Sequence, residues 1–299
     1  MRTFGRGIAL AVLLGGAAAY ADANDLEITK LGNPATSAAN ADFRAFARTF
    51  GSAMSSVNLM PPETLGHAAF SFTAELSVIQ LPPLESVRLP TQREQSDTLL
   101  LPSVHVRKGL PFSLELGARV GWVDKSRQFA ATGELKYAVN EGFTYLPDIA
   151  VRAHVTRLMG NRDFDLTSAG LDFGVGKQFP LGGMVTLTPY GGLDFVAVAA
   201  STDVLDFNPT RDVNSTLDPS DRYAGLQGTG VYEEVRPMEN INQRLYGGAR
   251  FITGALQLGV ELSLTRAGSF EYTDPTTNST ATRDLPAVLA FNTTLGLDF

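Results

Sequence analysis

Three histidines and a dispersed set of charged residues are where this sequence could do chemistry. His67, His105 and His154 are side chains whose charge changes near neutral pH. His154 falls near Glu134 on the preceding alternating stretch, which is half of a general-base arrangement. No serine, aspartate or asparagine stands in a recognisable motif with it, so no catalytic residue is assigned and the chain is read as not an enzyme. Cysteine is absent, which removes disulfides and thiolate metal sites together. Asp203, Asp206, Asp212, Asp218, Asp221, Glu233, Glu234 and Glu239 cluster in one polar stretch. Clustered carboxylates can hold Ca²⁺. Their spacing matches no EF-hand or repeat, so the stretch is read as a solvated loop, with no metal and no cofactor.

The remaining charges make sense only through the elements that carry them. Phe112, Leu114, Leu116, Ala118, Val120 and Trp122 alternate with Ser113, Glu115, Gly117, Arg119 and Gly121. A period of two with one apolar side is a strand whose faces meet different surroundings. The same alternation recurs from Phe70 to Val78, weakly around Val104 and Val106, then in 129–139, 149–156, 171–176, 185–195, 244–251, 256–264 and 285–299. Parity slips near Ser168-Ala169-Gly170, which suggests a bulge. The polar faces carry Arg107, Arg119, Lys136, Arg152, Arg244 and Arg250, and Glu75, Glu115, Glu134, Asp172, Asp194 and Glu261, with His154 among them. An antiparallel register brings Glu115 near Lys136 and Arg119 near Glu134.

About ten strands follow, joined alternately by long polar links and tight turns. The long links are 81–97, 124–128, 158–163, 199–239 and 266–284; the turns lie at Lys108, Asn140, Pro180 and Thr253. A strand tilted by ~45° needs about 11 residues to cross an apolar band of ~25 Å, and the alternating runs have about that length. Mean hydropathy is near zero, as it must be when apolar and polar faces cancel. The net charge of −7 is the wrong sign for a nucleic-acid partner.

Both ends add to this. Arg2 and Arg6, an apolar run from Gly7 to Ala18 and Ala19-Tyr20-Ala21 make a secretory signal peptide over 1–21. Leu285, Ala287, Leu289, Phe291, Thr293, Leu295, Leu297 and the terminal Phe299 occupy every second position. A final amphipathic strand ending in Phe resembles the C-terminal signature of Gram-negative outer-membrane β-barrels. That resemblance spans about His67 to the end and implies an all-β fold, a transmembrane up-and-down antiparallel barrel in the outer membrane. It also implies outer-membrane lipid and lipopolysaccharide as surroundings, and recognition of Phe299 by the barrel-assembly machinery. Phe112, Trp122, Phe129, Tyr137, Phe179 and Phe195 are expected in the aromatic girdles.

The segment 22–66 is different. Phe43, Phe46, Phe50, Met54 and Val57 recur at three- and four-residue steps, with Arg44 and Arg48 off that face, giving an amphipathic helix over about 40–57. Three placements stay open: a plug inside the barrel, a helix at the inner membrane–water boundary, or a cap over the periplasmic mouth. Two readings of the paired interior charges also stay open: cross-linking of the interior, or the lining of a narrow solute path. The functional expectation is a narrow, porin-like channel for small solutes of unknown identity. The alternatives are a structural or adhesion barrel acting through its external loops and, third, an outer-membrane hydrolase.

Overall fold

A computed structural model describes residues 22–93, 97–182, 185–207, 229–274 and 277–299; the signal peptide expected over 1–21 lies outside them. The ten barrel strands, labelled in chain order, are β1 (Phe70–Gln80), β2 (Thr98–Leu110), β3 (Leu114–Trp122), β4 (Phe129–Asn140), β5 (Asp148–Met159), β6 (Phe164–Gly176), β7 (Val185–Thr202), β8 (Ile241–Thr253), β9 (Leu256–Arg266) and β10 (Val288–Asp298). Each pairs antiparallel with its neighbours in sequence, and β1 pairs with β10 from Ser71↔Asp298 to Gln80↔Leu289, which closes the barrel. Closure leaves no strand edge unpaired in the wall, the condition for a sheet to stand in hydrocarbon.

The alternation is carried through. Outward positions are apolar and exposed, among them Leu116, Leu135, Val155, Val260, Leu262 and Leu295. Inward positions are buried and, toward the short-turn end, polar or charged. Tight turns at 111–113 and 254–255 and the shorter connections after Asn140 and Gly176 lie at one end, and the long connections lie at the other. The long-loop end carries a hairpin of Ser269–Thr273 with Thr280–Asp284 and the short pair Leu205–Asp206 with Thr229–Gly230. A short strand, Phe179–Leu181, lies on β7 at the other end.

Several details differ from the sequence reading. The second strand is a full strand of 13 residues. Its Pro102 stands opposite Leu76, while the ladder to β3 ends at Ser103↔Gly121. Pro102 thus has a strand neighbour on one side only, the edge-like position proline tolerates. The turn after β2 is shifted to 111–113, where Phe112 and Ser113 both take positive φ (65° and 57°). That is the backbone of a tight hairpin turn, so Phe112 belongs to the turn and not to β3. No bulge interrupts β6; its register with β5 is continuous from Asp148↔Gly176 to Arg157↔Thr167. Parity changes there because Phe164 and Leu166 are apolar residues pointing inward. A register shift occurs instead in β4, between Ala138 and Asn140. Phe195 is not near a strand end, because β7 runs on to Thr202.

Helix α1 spans Ser37–Met54, three residues earlier than expected at each end. Thr36 caps it, its hydroxyl accepting from the Ala39 N–H at 3.3 Å, and alanine-rich turns favour it. It lies inside the barrel, toward the long-loop end. Phe43, Phe46, Phe50 and Met54 are fully or almost fully buried, and so is Arg48 on the face expected to be polar. The amphipathic pattern therefore marks a water-facing side only in the first turns, at Asn40, Asp42 and Arg44, and not over 45–54. Arg48 reaches Asn242 at 3.0 Å and the Ala267 carbonyl within the protein.

Candidate functional site

The candidate site is the barrel interior, and it has two zones. In the half toward the long loops, inward strand positions are apolar: Ile79, Leu99, Leu101, Leu158, Phe164, Leu166, Val196 and Val198 pack against α1. Phe46 stacks on Phe50 at 5.4 Å between centroids and lies 5.3 Å from Phe164. Gly51 permits the closest approach, since a Cβ there would lie 2.6 Å from a Val198 methyl. In the sequence only Phe164 and Leu166 leave a trace, as the parity slip near 168–170. The signal that could have found them is the same switch repeated at the long-loop ends of several strands.

In the other half, the chain leaves the helix at Ser55 and runs down the lumen without regular structure, buried through Pro62 and reaching the exposed mouth at Gly66. This stretch has no strand beside it, so its backbone groups need other partners. The strand charges supply them. Arg244 donates to the Ser52 and Ser56 carbonyls at 2.6 and 2.8 Å, and Arg107 donates to Asn58 O at 2.9 Å. Lys136 donates to Glu63 O at 3.0 Å. The carboxylates take the N–H groups: Glu261 accepts from Leu59 N and Glu115 from Leu65 N, each at 3.0 Å. Arg250 pairs with Glu63 of the same segment. At the turn beyond, Glu141 accepts from Thr64 N at 2.8 Å. Burial pushes the Glu141 carboxyl up, but hydrogen bonds from Ser113 and Thr64, with Lys136 nearby, hold it below the usual range.

The charges also bind one another. Glu75 accepts from Arg119 at 2.7 Å and contacts His105 at 3.0 Å. Glu134 accepts from Arg152 at 2.7 Å and from Arg107 at 3.2 Å. Arg152 continues to Asp172 at 3.0 Å, which also accepts from Tyr246 at 2.6 Å. Asp194 pairs with Arg244 and His154, both at 3.2 Å. Tyr190 donates to Glu261 at 3.2 Å. Glu115 stands opposite Lys136 in register and meets it at 2.9 Å. The register places both expected neighbours as anticipated, His154 opposite Glu134 and Arg119 one diagonal step from it, but the side chains pair elsewhere, Arg119 with Glu75 and His154 with Asp194. Both have one cause, since Glu134 is held by Arg107 and Arg152.

All thirteen residues expected to line the lumen are thus inward and buried, but what they line is protein. Beside the exit of the helix, a cavity of about 10 Å³ touches Ser55, Ser77, Arg119 and Asn292, room for about one water. His105 and His154 are at most 2% exposed and held by carboxylates, beyond the reach of a substrate. Asp212, Asp218 and Asp221 of the acidic stretch lie outside the described residues. Among the described residues no cluster of acids and histidines could hold a metal ion.

No protein-family model and no curated protein sequence matches this chain. Solved structures similar to it include an outer-membrane channel from Pseudomonas putida F1 (13% identity, 82% of this chain and 100% of that one, TM-score 0.38). Others are the attachment invasion locus protein Ail of Yersinia pestis (9%, 78% and 99%, TM-score 0.28) and the translocator domain of the autotransporter NalP from Neisseria meningitidis (9%, 88% and 96%, TM-score 0.33). Scores this low carry no argument about what the chain does. The strands themselves do better. A closed ten-stranded antiparallel barrel, apolar outside and charged within, has the fold of an outer-membrane β-barrel.

Proposed function

We propose that this protein is a closed outer-membrane barrel that acts through its external face, as a surface-binding or structural protein, and not as an open solute channel. One observation carries the reading: the lumen is filled along its length by the chain's own residues 37–66, held by both zones of the wall. Short turns on the periplasmic side and long loops outside are the rule for such barrels, so the long-loop end is taken as external. Residues 22–36 then join the external loops. Asn24 N donates to Lys125 O at 2.9 Å and Glu27 N to Pro90 O at 2.6 Å. These bonds fix the described part of the face, which suits a binding role.

A second reading keeps the small-solute channel. It is favoured by the fact that residues 37–66 contribute no strand to the wall, so their departure would leave the ladder closed. Planar-bilayer conductance separates the two. The refolded mature protein is expected to be silent, and a protein lacking residues 22–65 to give current steps if its wall stays closed. Discrete steps from the full mature chain would overturn the surface reading. In cells, shortening loops 203–240 and 267–287 should abolish the surface phenotype while the barrel still folds.

A further inference from the structure

We infer that a groove in the outer wall of the barrel holds one acyl chain of an inner-leaflet phospholipid. The groove crosses β8, β9, β10 and β1, over the seam where the last strand closes on the first, and holds about 500 Å³. A closed cavity of ~150 Å³ takes up one benzene ring, so this groove has room for a hydrocarbon chain of at least about a dozen carbons.

Two outward rows of side chains shape it. Phe251, Leu258, Leu295 and Ala74 stand opposite one another in register, and so do Ala249, Val260, Thr293 and Leu76 one step further along the strands. Small Ala74, Ala249 and Thr293 make the depression, and the exposed Phe251, Leu258, Leu295 and Leu76 make its banks. Glu75 and Thr294 border the groove although they occupy inward positions, so the floor there is bare backbone. The Thr293 hydroxyl donates to Leu76 O at 3.4 Å, which turns its polar atom back to the wall.

Depth, shape and charge name the same occupant. Leu258 and Val260 stand third and fifth in β9 from the short-turn end, and Leu295 and Thr293 fourth and sixth from the end of β10. On strands tilted by ~45° these places lie roughly 5–12 Å inside the wall, within the hydrocarbon of the leaflet at that end. With the short turns periplasmic, that leaflet is the inner one. A second copy does not fill the space, since a two-fold contact sets groove against groove. A flexible chain one carbon wide does. In hydrocarbon the drive is packing, because the bare floor forfeits its dispersion contacts unless a chain lies along it. Outward positions of the four strands carry one charge, Arg266, at the far end. At the near rim stands Lys108, opposite Phe70 in register with its Nζ 3.9 Å over that ring. Phe70 lies four residues along β1 from Ala74, about 13 Å. Lys108 thus offers a cation at the level of the phospholipid phosphate.

The test uses the refolded mature protein in bilayers of phosphatidylethanolamine and phosphatidylglycerol, its fold checked by the gel-mobility shift between unboiled and boiled samples. A trace of phospholipid with a photoactivatable diazirine in its acyl chain is cross-linked, and the labelled peptides are mapped by mass spectrometry. Peptides holding 249–260 and 293–295 should carry about tenfold more label than the outward positions of β3 and β4. Ala249→Phe with Thr293→Phe fills the groove and should bring that label down to the β3–β4 level. Ala118→Phe, on the outward face of β3, should leave it unchanged. Should the double Phe variant not fold, Ala249→Leu with Thr293→Leu gives the same reading. Even labelling around the wall of the native sequence, or label that survives in a folded, groove-filled variant, overturns the inference. A dimer in native mass spectrometry that the same substitutions abolish overturns it in favour of a second copy. Loss of the label to added lipopolysaccharide overturns it in favour of the other leaflet.

Discussion

Phe46→Ala tests whether α1 is a separable plug. Phe46 is fully buried, with its ring against Phe50 and Phe164. Removing such a ring costs ~3–5 kcal/mol where the site collapses little. The wall pairs strand to strand and uses none of these contacts, so the loss should fall on the docking of α1. At about 1.4 kcal/mol per decade, the population with α1 undocked should rise roughly 10²- to 10³-fold or more. The chain has no cysteine, so one introduced thiol is a clean reporter. Ser55 suits it, being 1% exposed with a hydroxyl that has no partner. The assay compares maleimide labelling of Ser55→Cys with and without Phe46→Ala, with the barrel verified by the mobility shift in both. A labelling rate changed less than threefold in a folded barrel would refute the separate-plug account. So would loss of the barrel itself, because it would make the helix part of what holds the wall.

Two further outcomes follow from the charges. Glu75→Gln leaves Arg119 and His105 buried beside a neutral amide and should cost ~3–5 kcal/mol, read as a lower urea midpoint; a loss under about 1 kcal/mol would contradict the buried network. At the external face, burial pushes the Asp25 carboxyl up, but hydrogen bonds from Arg127, Asp22 and Ser126 outweigh it and hold it below the usual carboxylate range. A depressed carboxylate stabilises the fold above its unfolded pKa, and that contribution fades as pH falls through the folded value. Amide-exchange protection of Arg127 should therefore hold from pH 7 to about 4 and drop below that, and Asp25→Asn should lack the drop. Loss of protection already at pH 5–6 would rule Asp25 out as the group responsible.

How much of this could be read from the sequence depends on which surroundings a residue reports. Outward positions report lipid alone, so Leu114, Leu116, Val120 and Trp122 gave their strand away by period two. Inward positions report whatever fills the lumen, and that changes along each strand. Where the extended segment passes, the inward residues are charged and alternation is clear. Where α1 passes, Phe164, Leu166, Val196 and Val198 are apolar on the inward side and the alternation disappears. The helix misled for the same reason. Enclosed from Ala45 to Met54, it buries Arg48 beside Phe46, so along that part its hydrophobic face does not say where water is. Partner choice within the network was not legible either. Register places Glu134 opposite Gly117 and His154, yet side chains of this length reach across two strands to whichever charge is left unsatisfied.

The balance of signs in the lumen has a cause beyond mutual neutralisation. A backbone in a confined, strand-free space presents both carbonyls and N–H groups, each costly to leave unpaired, although Pro61 and Pro62 contribute carbonyls only. Cations suit the first and carboxylates the second. The wall uses them so, with Arg107, Arg244 and Lys136 on carbonyls and Glu115 and Glu261 on N–H groups. An ion-selective pore has the opposite need, one sign in excess with free lone pairs or protons facing water. A solute moving along this lumen would have to replace backbone partners of both kinds at once, at several levels of the barrel. Acids and bases side by side on inward strand positions, some spent on each other and some on both kinds of backbone group, therefore fit a lumen that holds its own chain.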